Sequence, residues 1–286
     1  MAYSRKRIKL PPVYSDIEPL LRTERFPTLW CPGCGIGLLL KTFVKAVSLS
    51  GIPPEKHVVI SGIGCTGRIA GYIRLDGYHV THGRAIPFAT GIKLARPELE
   101  VTVISGDGDL LSIGGNHFIH AARRNIDINV IVVNNFIYAM TGGQLGSTTP
   151  KGMRTMTSPY GNIEEPFNIP LLAYAAGASF IARWTVFHDV QLLDAILKAF
   201  KIKGFSVIEV ISPCTIFAER NNMKMLELIR MIRTNVKINH KAPLDELTIE
   251  PGKPIIIGNF VERTVKPSFD SLIYEGVKKL KGGGSL

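Results

Sequence analysis

The sequence has only four cysteines among its 286 residues. In a chain of this length, so few cysteines favour metal binding or catalysis over a disulfide framework. Long apolar segments are also missing, since no stretch reaches the roughly 18 apolar residues that a membrane-spanning helix needs. Residues 1–10 are basic and polar and lack the apolar centre of a signal peptide. We therefore expect a cytoplasmic protein that makes no membrane contact.

The basic residues are not clustered beside aromatic residues, although the formal net charge is +11. A basic surface attracts nucleic acids, acidic proteins and anionic ligands alike, so the charge alone does not identify a partner. Because Lys and Arg are spread along the whole chain, we expect no nucleic-acid partner. The composition, 45% hydrophobic and 20% charged, is ordinary for a folded chain and excludes disordered and fibrous classes.

Short β-branched apolar segments alternate with helix-length amphipathic segments. The predicted strands are 57–60, 101–104, 129–133 and 205–211, and the predicted helices are 36–48, 86–95, 115–124 and 188–201. Strands that are apolar on both faces and alternate with helices predict an α/β fold, in which a parallel sheet is flanked by helices.

The two ends of the chain lack this alternation, which predicts three parts. These are an N-terminal arm at 1–26, a ligand-binding domain at 27–217 and a C-terminal extension at 218–286. The extension contains a predicted helix at 223–237, a predicted strand at 255–257 and a glycine-rich end at 282–286. We expect the arm and the extension to contact a partner subunit.

An unusual loop follows each predicted strand. These loops are 61–65, 105–109, 134–138 and 212–214. In open α/β sheets, ligands bind at the edge formed by the carboxyl ends of the strands. The four loops are therefore expected to surround one crevice.

A Gly-Asp-Gly segment at 106–108 follows one predicted strand, and Asn134 and Asn135 follow the next. The glycines let backbone N–H groups approach phosphate oxygens, and a helix predicted to begin near Gly114 points its positive end toward them. The tripeptide alone would indicate only a turn. The order, spacing and strand context together resemble the diphosphate-binding motif of thiamine diphosphate enzymes, so we predict that cofactor.

This resemblance also assigns a magnesium site. The ligands would be the Asp107 carboxylate, the Asn135 side-chain oxygen and the Ile137 main-chain carbonyl, which suit the preference of Mg²⁺ for oxygen. The residues expected to bind thiamine diphosphate are Gly64, Cys65, Thr66, Gly106, Asp107, Gly108, Asp109, Asn135, Ile137 and Thr141.

The four cysteines could form one metal centre. Cys31 and Cys34 lie in a Cys-Pro-Gly-Cys segment, while Cys65 and Cys214 each follow a predicted strand. Four thiolates can hold an iron–sulfur cluster. Zinc is an alternative, although structural zinc sites usually take two close pairs of ligands from a small local loop. Ordinary buried thiols are a second alternative that spacing alone does not exclude.

Five motifs in one order extend the resemblance. They lie at 30–35, 64–68, 82–85, 106–115 and 141–144. Together they resemble the β subunit of 2-oxoacid:ferredoxin oxidoreductases, over roughly residues 22–215. The resemblance implies one four-iron, four-sulfur cluster held by Cys31, Cys34, Cys65 and Cys214. It also implies coenzyme A-dependent oxidative decarboxylation of a 2-oxoacid, with electrons passed to ferredoxin.

The resemblance implies further partners. Thiamine enzymes activate their cofactor with a glutamate from a separate pyrimidine-binding domain, and the sequence shows no such second domain. We therefore expect an α subunit, or α plus γ subunits, to complete the active site in a hetero-oligomer such as αβ or (αβ)₂. Arg68, His82 and Arg84 lie in the matched loops and are candidates to contact substrate or coenzyme A.

The substrate is predicted from smaller details. The Cys-Pro-Gly-Cys-Gly segment and its lead-in at 22–30 resemble the 2-oxoglutarate synthase type, which predicts conversion of 2-oxoglutarate to succinyl-CoA. Broad-specificity relatives can have a lysine where this chain has Gly142, so their substrate range does not transfer simply to this chain. Pyruvate or a broad range of 2-oxoacids stays the alternative. A thiamine-dependent decarboxylase would not need the cysteines. A zinc-stabilised, basic nucleic-acid-binding protein is the remote alternative.

Overall fold

The computed structural model describes residue 11, residues 15–263 and residues 267–281. These residues form a mostly parallel sheet with helices on both faces. The strands are β1 (His57–Ser61), β2 (Asp76–His79), β3 (Glu100–Gly106), β4 (Asn129–Asn134), β5 (Phe180–Thr185), β6 (Ser206–Ile211), β7 (Val236–Ile238) and β8 (Ile255–Glu262). The helices are α1 (Ile36–Leu49), α2 (Ala85–Ala95), α3 (Gly115–Arg124), α4 (Ile169–Ala176), α5 (Asp189–Lys201), α6 (Thr215–Arg220), α7 (Met225–Thr234) and α8 (Phe269–Lys281). Within the described ranges, every helix is too short or too polar to cross a membrane.

The strand order reverses between β1 and β3, the second and third strands of the sheet. The order is β2-β1-β3-β4-β6-β5-β8-β7, and strands β1 to β6 run parallel to their neighbours in this group. The chain moves from β1 outward to β2 and then returns to the other side of β1 for β3. Such a reversal of strand order opens a crevice at the carboxyl ends of the two strands. The α/β fold expected from the sequence is confirmed.

Two apolar cores hold the helices against the sheet. Every residue of β1, β4, β5 and β6 is buried, because alternate side chains point to opposite faces and both faces are covered. Val59 of β1 lies in a core with Phe43 of α1, whereas the adjacent Val58 lies in a core with Phe118 of α3. Burying an aliphatic or phenyl side chain of this kind contributes roughly 1.5–3 kcal/mol.

The four predicted strands and four predicted helices of the ligand-binding domain are present, with ends within two residues of the expected positions. The sequence did not reveal β2, β5 or α4. The predicted helix at 223–237 is shorter in the structure, where α7 ends at Thr234 and β7 follows.

The C-terminal extension contributes to the same sheet. Its strand β8, which contains the predicted strand at 255–257, pairs antiparallel with β5, and β7 pairs with β8. The predicted glycine-rich end at 282–286 and the first ten residues of the arm lie outside the described residues. The division into an arm, a domain and an extension stays a prediction.

Candidate active site

Asp109 joins the loops that follow β1, β2 and β3. It is 2% exposed, and its Oδ1 accepts hydrogen bonds from the backbone N–H groups of Ile63 (3.1 Å) and Gly83 (2.8 Å). The same oxygen lies 2.5 Å from Nδ1 of His82. A Cβ on Gly62 would lie 1.9 Å from Asp109 Oδ2, so only glycine at 62 lets the carboxylate come this close.

A π-helical segment, Gly108–Ile113, separates β3 from α3. The sequence correctly predicts a helix start near Gly114, since α3 begins at the next residue. However, residues of the π-helical segment, rather than those of α3, line the cleft described below. Tyr138 packs on this segment and donates a hydrogen bond from its hydroxyl to the Gly108 carbonyl (3.1 Å). A Cβ on Gly108 would lie 2.4 Å from the tyrosine ring, so this position requires glycine.

The turn after β4 presents two oxygen-bearing groups to the same region. Phe136 has φ +69°, a left-handed conformation that non-glycine residues rarely adopt. The hydroxyl of Thr149 donates to the Phe136 carbonyl (2.6 Å) and helps to hold this conformation. On either side of Phe136, Asn135 and Ile137 line the cleft.

The ten predicted thiamine diphosphate-binding residues line one cleft. It contains about 560 Å³ of empty space, including the part open to solvent. His82 also lines it. The lining also includes Ile63 and Tyr138, which lie in the expected crevice loops 61–65 and 134–138 but were not assigned to the cofactor. The sequence analysis missed Ala139 and Met140. Both directly follow the loop 134–138, so their position could have indicated them.

Asp107 is, with Asp109, one of two buried carboxylates that line the cleft. It is 3% exposed, and burial raises its pKa to about 6 even though the hydroxyl of Thr148 donates a hydrogen bond to it. A divalent cation would offset this cost of burying a negative charge. With the amide oxygens of Asn135 and Ile137 beside the carboxylate in the cleft lining, the donor set fits magnesium. Thr148 was missed because an isolated threonine has no motif.

The four cysteines line a second cavity, with about 810 Å³ of empty space including its open side. None of them forms a disulfide; Cys31 is exposed and Cys214 is buried. Burial raises the pKa of Cys34 to about 12 and that of Cys214 to about 11, with smaller contributions from neighbouring cysteines. Within the described residues, no three His, Cys, Asp or Glu side chains form a group that could hold a metal ion.

Close packing positions the first two cysteines. A Cβ on Gly35 would lie 2.4 Å from Val186 Cγ2 and 2.8 Å from Ser212 Oγ, so the loop before α1 approaches the carboxyl ends of β5 and β6 closely. On the other side, the Trp30 indole N–H donates a hydrogen bond to the Cys65 carbonyl (2.8 Å). These contacts bring the Cys-Pro-Gly-Cys segment to the edge of the sheet where the loops that line the first cleft lie.

The two cavities share part of their lining. Residues that belong to both are Cys65, Asn135, Ala139 and Met140. We call the first cleft the cofactor cleft, after the cofactor predicted from its sequence motifs. Of the three candidates for substrate or coenzyme A, His82 lines the cofactor cleft and Arg68 lines the cysteine cavity. Arg84 is exposed and lines neither cavity.

Comparisons with known proteins agree with this geometry. Residues 62–210 match the family described as "Thiamine pyrophosphate enzyme, C-terminal TPP binding domain". The chain is 49% identical to the 2-oxoglutarate synthase subunit KorB of Archaeoglobus fulgidus over 252 residues, which cover 88% of this chain and 91% of that protein. It is 38% identical to subunit beta of 2-oxoacid:ferredoxin oxidoreductase 2 of Aeropyrum pernix, over 84% of this chain and 82% of that protein.

A solved structure extends the similarity to three dimensions. The 2-oxoglutarate:ferredoxin oxidoreductase of Magnetococcus marinus, with 2-oxoglutarate, coenzyme A and succinyl-CoA bound, superposes with a TM-score of 0.82. The sequences are 31% identical, and the match covers 94% of this chain and 91% of that chain. The resemblance seen in the sequence motifs is confirmed. The chain therefore belongs to the thiamine diphosphate-dependent family of 2-oxoacid:ferredoxin oxidoreductase β subunits.

Proposed function

We propose that this chain is the β subunit of an enzyme that oxidatively decarboxylates 2-oxoglutarate, transfers the succinyl group to the thiol of coenzyme A with release of carbon dioxide and a proton, and passes the two electrons to ferredoxin. The observation that carries the proposal is the shared lining of the cofactor cleft and the cysteine cavity. The substrate is supported by the Archaeoglobus relative, which is named for 2-oxoglutarate, and by the ligands bound in the Magnetococcus enzyme.

A second candidate substrate range is pyruvate or several 2-oxoacids. The Aeropyrum relative, which is named for 2-oxoacids in general, supports this alternative. Both candidates use the same cofactor site, so they differ only in the pocket that surrounds the substrate. Arg68 and His82 line the cavities where an anionic substrate or coenzyme A would bind, whereas Arg84 would act from outside them.

Asp107, Asn135 and Ile137 would hold Mg²⁺, and the backbone of 106–109 would hold the diphosphate. When bound, thiamine diphosphate supplies the electron sink that decarboxylation of a 2-oxoacid needs. The buried charge of Asp107 supports this assignment, because a cation at this place would lower the raised pKa of the carboxyl. Tyr138 would keep the Gly108 backbone in place through its hydrogen bond to the Gly108 carbonyl.

Cys31, Cys34, Cys65 and Cys214 would hold one four-iron, four-sulfur cluster. A cluster of this kind supplies one-electron transfer. The proposal is supported by the convergence of all four sulfur-bearing residues on one cavity from distant positions in the chain. Metal binding would also deprotonate the buried thiols, which offsets their raised pKa values. Since a cluster needs reduced cysteines, we place the protein in the cytoplasm.

An α subunit, or α plus γ subunits, would complete the active site in an αβ or (αβ)₂ assembly. The relatives support a multi-subunit enzyme, because they are named as subunits. The C-terminal extension at 218–286 would contact the partner. This role is supported by the exposed apolar side chains of α8, which are Leu272, Ile273, Val277 and Leu280.

Two variants test the cluster and the thiamine diphosphate site separately. The complex would be purified without oxygen together with its partner subunits, and its iron, thiamine diphosphate and absorbance at about 400 nm would be measured. Cys34→Ser is expected to lower iron and absorbance while thiamine diphosphate binding persists. Asp107→Asn is expected to abolish magnesium-dependent thiamine diphosphate binding while iron persists. A wild-type complex without iron, or with zinc in its place, would contradict the cluster.

Activity tests the substrate. The same complex should reduce a viologen dye when 2-oxoglutarate and coenzyme A are both present, and more slowly with pyruvate. Equal rates with several acids would favour the broad-specificity alternative. A complex that contains iron and binds thiamine diphosphate but reduces no dye with any 2-oxoacid would reject the proposed reaction.

A further inference from the structure

Asn134, the first of the paired asparagines, does not line the cofactor cleft. It is 2% exposed, and its side chain contacts two other groups. Its Oδ1 accepts a hydrogen bond from the backbone N–H of Phe136 (3.1 Å), and its Nδ2 donates to Oε1 of Glu209 (2.8 Å). The Asn134 amide therefore connects the turn after β4 to strand β6.

The turn that Asn134 holds sets the direction of two proposed magnesium ligands. Phe136, with its left-handed backbone, lies between Asn135 and Ile137. A residue in this conformation is strained and persists only when its surroundings hold it there. The hydrogen bonds from the Phe136 N–H to Asn134 and from Thr149 to the Phe136 carbonyl provide that hold. Loss of the hydrogen bond between the Phe136 N–H and Asn134 would let the oxygens of Asn135 and Ile137 turn away from the proposed magnesium position.

Glu209 also belongs to a buried ion pair. Its Oε2 accepts a hydrogen bond from Arg183 Nε (2.6 Å), and each side chain is 1% exposed. Nη1 of Arg183 donates to the carbonyls of Leu247 (2.7 Å) and Ile256 (3.4 Å), which lie in the C-terminal extension. Burying two charges costs their hydration, and apolar side chains of similar volume often stabilise a core equally well. Stability alone therefore does not account for this pair.

The ion pair determines how the Asn134 amide is oriented. Arg183 and Glu209 are register partners on β5 and β6, so Arg183 binds one carboxylate oxygen and leaves the other facing Asn134. A carboxylate oxygen only accepts hydrogen bonds, so it pairs with Nδ2 of the amide. The reverse orientation would place Nδ2 against the N–H of Phe136, where two donors would face each other.

We propose that Arg183 and Glu209 are positioning residues for the magnesium and thiamine diphosphate site, acting through Asn134 on the turn at Phe136. Since Arg183 also binds Leu247 and Ile256, the same contacts couple the C-terminal extension to the cofactor cleft. The inference rests on the proposed function, because it takes the cofactor to bind beside this turn.

Glu209→Gln tests the inference. A glutamine has one accepting and one donating group at its end, so it cannot accept from both Arg183 and Asn134. We expect the Kd for thiamine diphosphate at fixed Mg²⁺ to rise by about 10- to 100-fold, as when a contact behind a metal ligand is lost. The kcat at saturating cofactor should change by less than about twofold. Calorimetric titration of the cofactor-stripped complex measures the Kd without relying on activity.

Asp127→Asn is the matched control. Asp127 forms another buried ion pair, with Lys93 (2.8 Å), at the opposite edge of the sheet and away from the cleft. We expect this variant to lower the Tm while the Kd for thiamine diphosphate stays at the wild-type value. A folded Glu209→Gln complex with the wild-type Kd would overturn the inference. An equal rise of Kd in Asp127→Asn would also overturn it, since general destabilisation would then account for the effect.

Asn134→Leu provides a second variant if Glu209→Gln does not fold. Leucine is similar in size to asparagine but neither accepts a hydrogen bond from the Phe136 N–H nor donates one to Glu209. The Kd should rise as for Glu209→Gln, and a wild-type Kd would reject the inference. If the wild-type complex itself shows no magnesium-dependent binding, the proposed function fails as well. If the wild-type complex binds thiamine diphosphate and the variants bind it with the same Kd, the positioning role is rejected while the proposed function stands.

Discussion

Gly35 and Gly37 lie two positions apart but have different surroundings. A Cβ on Gly35 would lie 2.4 Å from Val186, whereas the atom nearest to a Cβ on Gly37 is 3.9 Å away, in the ring of Trp30. Real Cβ contacts do not reach the shorter distance, so the loop containing Cys34 packs on the sheet only while residue 35 has no side chain. Gly37 lies inside α1, where alanine is the better helix former.

These distances predict opposite effects of the same substitution. Gly35→Ala should push the Cys31–Cys34 loop off the sheet and lower the iron content of the purified complex to less than about half. Gly37→Ala should leave the iron content unchanged and raise stability by up to about 1 kcal/mol. Iron analysis and thermal unfolding measure both effects. Full iron content in Gly35→Ala would contradict this account of the loop.

The residues that sequence reasoning identified share one property, since each belongs to a motif whose chemistry is readable locally. Asp107 and Asn135 follow predicted strands, and the cysteines are rare. Thr148 and Glu209 could not be identified in this way. Their importance lies in hydrogen bonds to Asp107 and Asn134, which are distant in sequence and become neighbours only through the fold.

Elements were predictable where β-branched apolar residues dominate the pattern. The strands β1, β3 and β4 are nearly continuous apolar runs, as expected for parallel strands covered on both faces, and β6 has a Val-Ile pair on each side of Glu209. In contrast, β2 reads Asp-Gly-Tyr-His and is exposed at the edge of the sheet, and the pattern of β5 is broken by the buried Arg183. The antiparallel pairing of β8 with β5 depends on contacts between distant segments, which no local pattern encodes.

At the edge of the sheet formed by the amino ends of its strands, the titratable carboxyl of Glu100 in β3 is hydrogen-bonded to Asn129 in β4. Nδ2 of Asn129 donates a hydrogen bond to Oε1 of Glu100 (2.5 Å). Burial raises the pKa of Glu100 to about 7, and the nearby Asp127 adds to this effect while Lys93 opposes it. Between about pH 4.5 and pH 7, the folded state therefore holds a proton that the unfolded state has released. The folded state is therefore most stable, with respect to Glu100, below about pH 4.5. This contribution to the free energy of unfolding decreases above that pH and is lost as pH rises through 7.

Glu100→Gln should reverse this loss, because glutamine resembles the protonated side chain. At about pH 8 the variant should be more stable than the wild type by about 1–2 kcal/mol, and the difference should vanish near pH 4.5. Thermal unfolding at both pH values measures it. Glu98→Gln is the matched control, since Glu98 is an exposed glutamate two positions away and should give no such gain. A wild type that is more stable than Glu100→Gln at pH 8 would refute the prediction.

At the scale of the whole molecule, the C-terminal extension adds β8 and β7 to the sheet and also contains helix α8. Helix α8 is attached near its first turns, where Asp270 accepts a hydrogen bond from the Asp127 N–H (3.2 Å) and the Tyr274 hydroxyl donates to the Leu94 carbonyl (2.7 Å). The sequence predicted an extension that contacts a partner, but it did not indicate that β8 would join the main sheet.

The exposed apolar face of α8 predicts that this helix is a contact for the partner subunit. Leu272 and Val277 are 49% and 41% exposed, and apolar side chains grouped in this way on a surface mark an interaction site. The double variant Leu272→Asp, Val277→Asp should weaken association by at least about tenfold, because a charge would be buried in the interface. The Tm of the isolated variant chain should stay at the wild-type value, since neither side chain is buried in this chain.

Leu49→Asp is the control. It changes an equally exposed leucine on α1, and this variant should associate normally. Co-purification with a tagged partner measures association, and retention of the partner by the double variant would place the interface elsewhere.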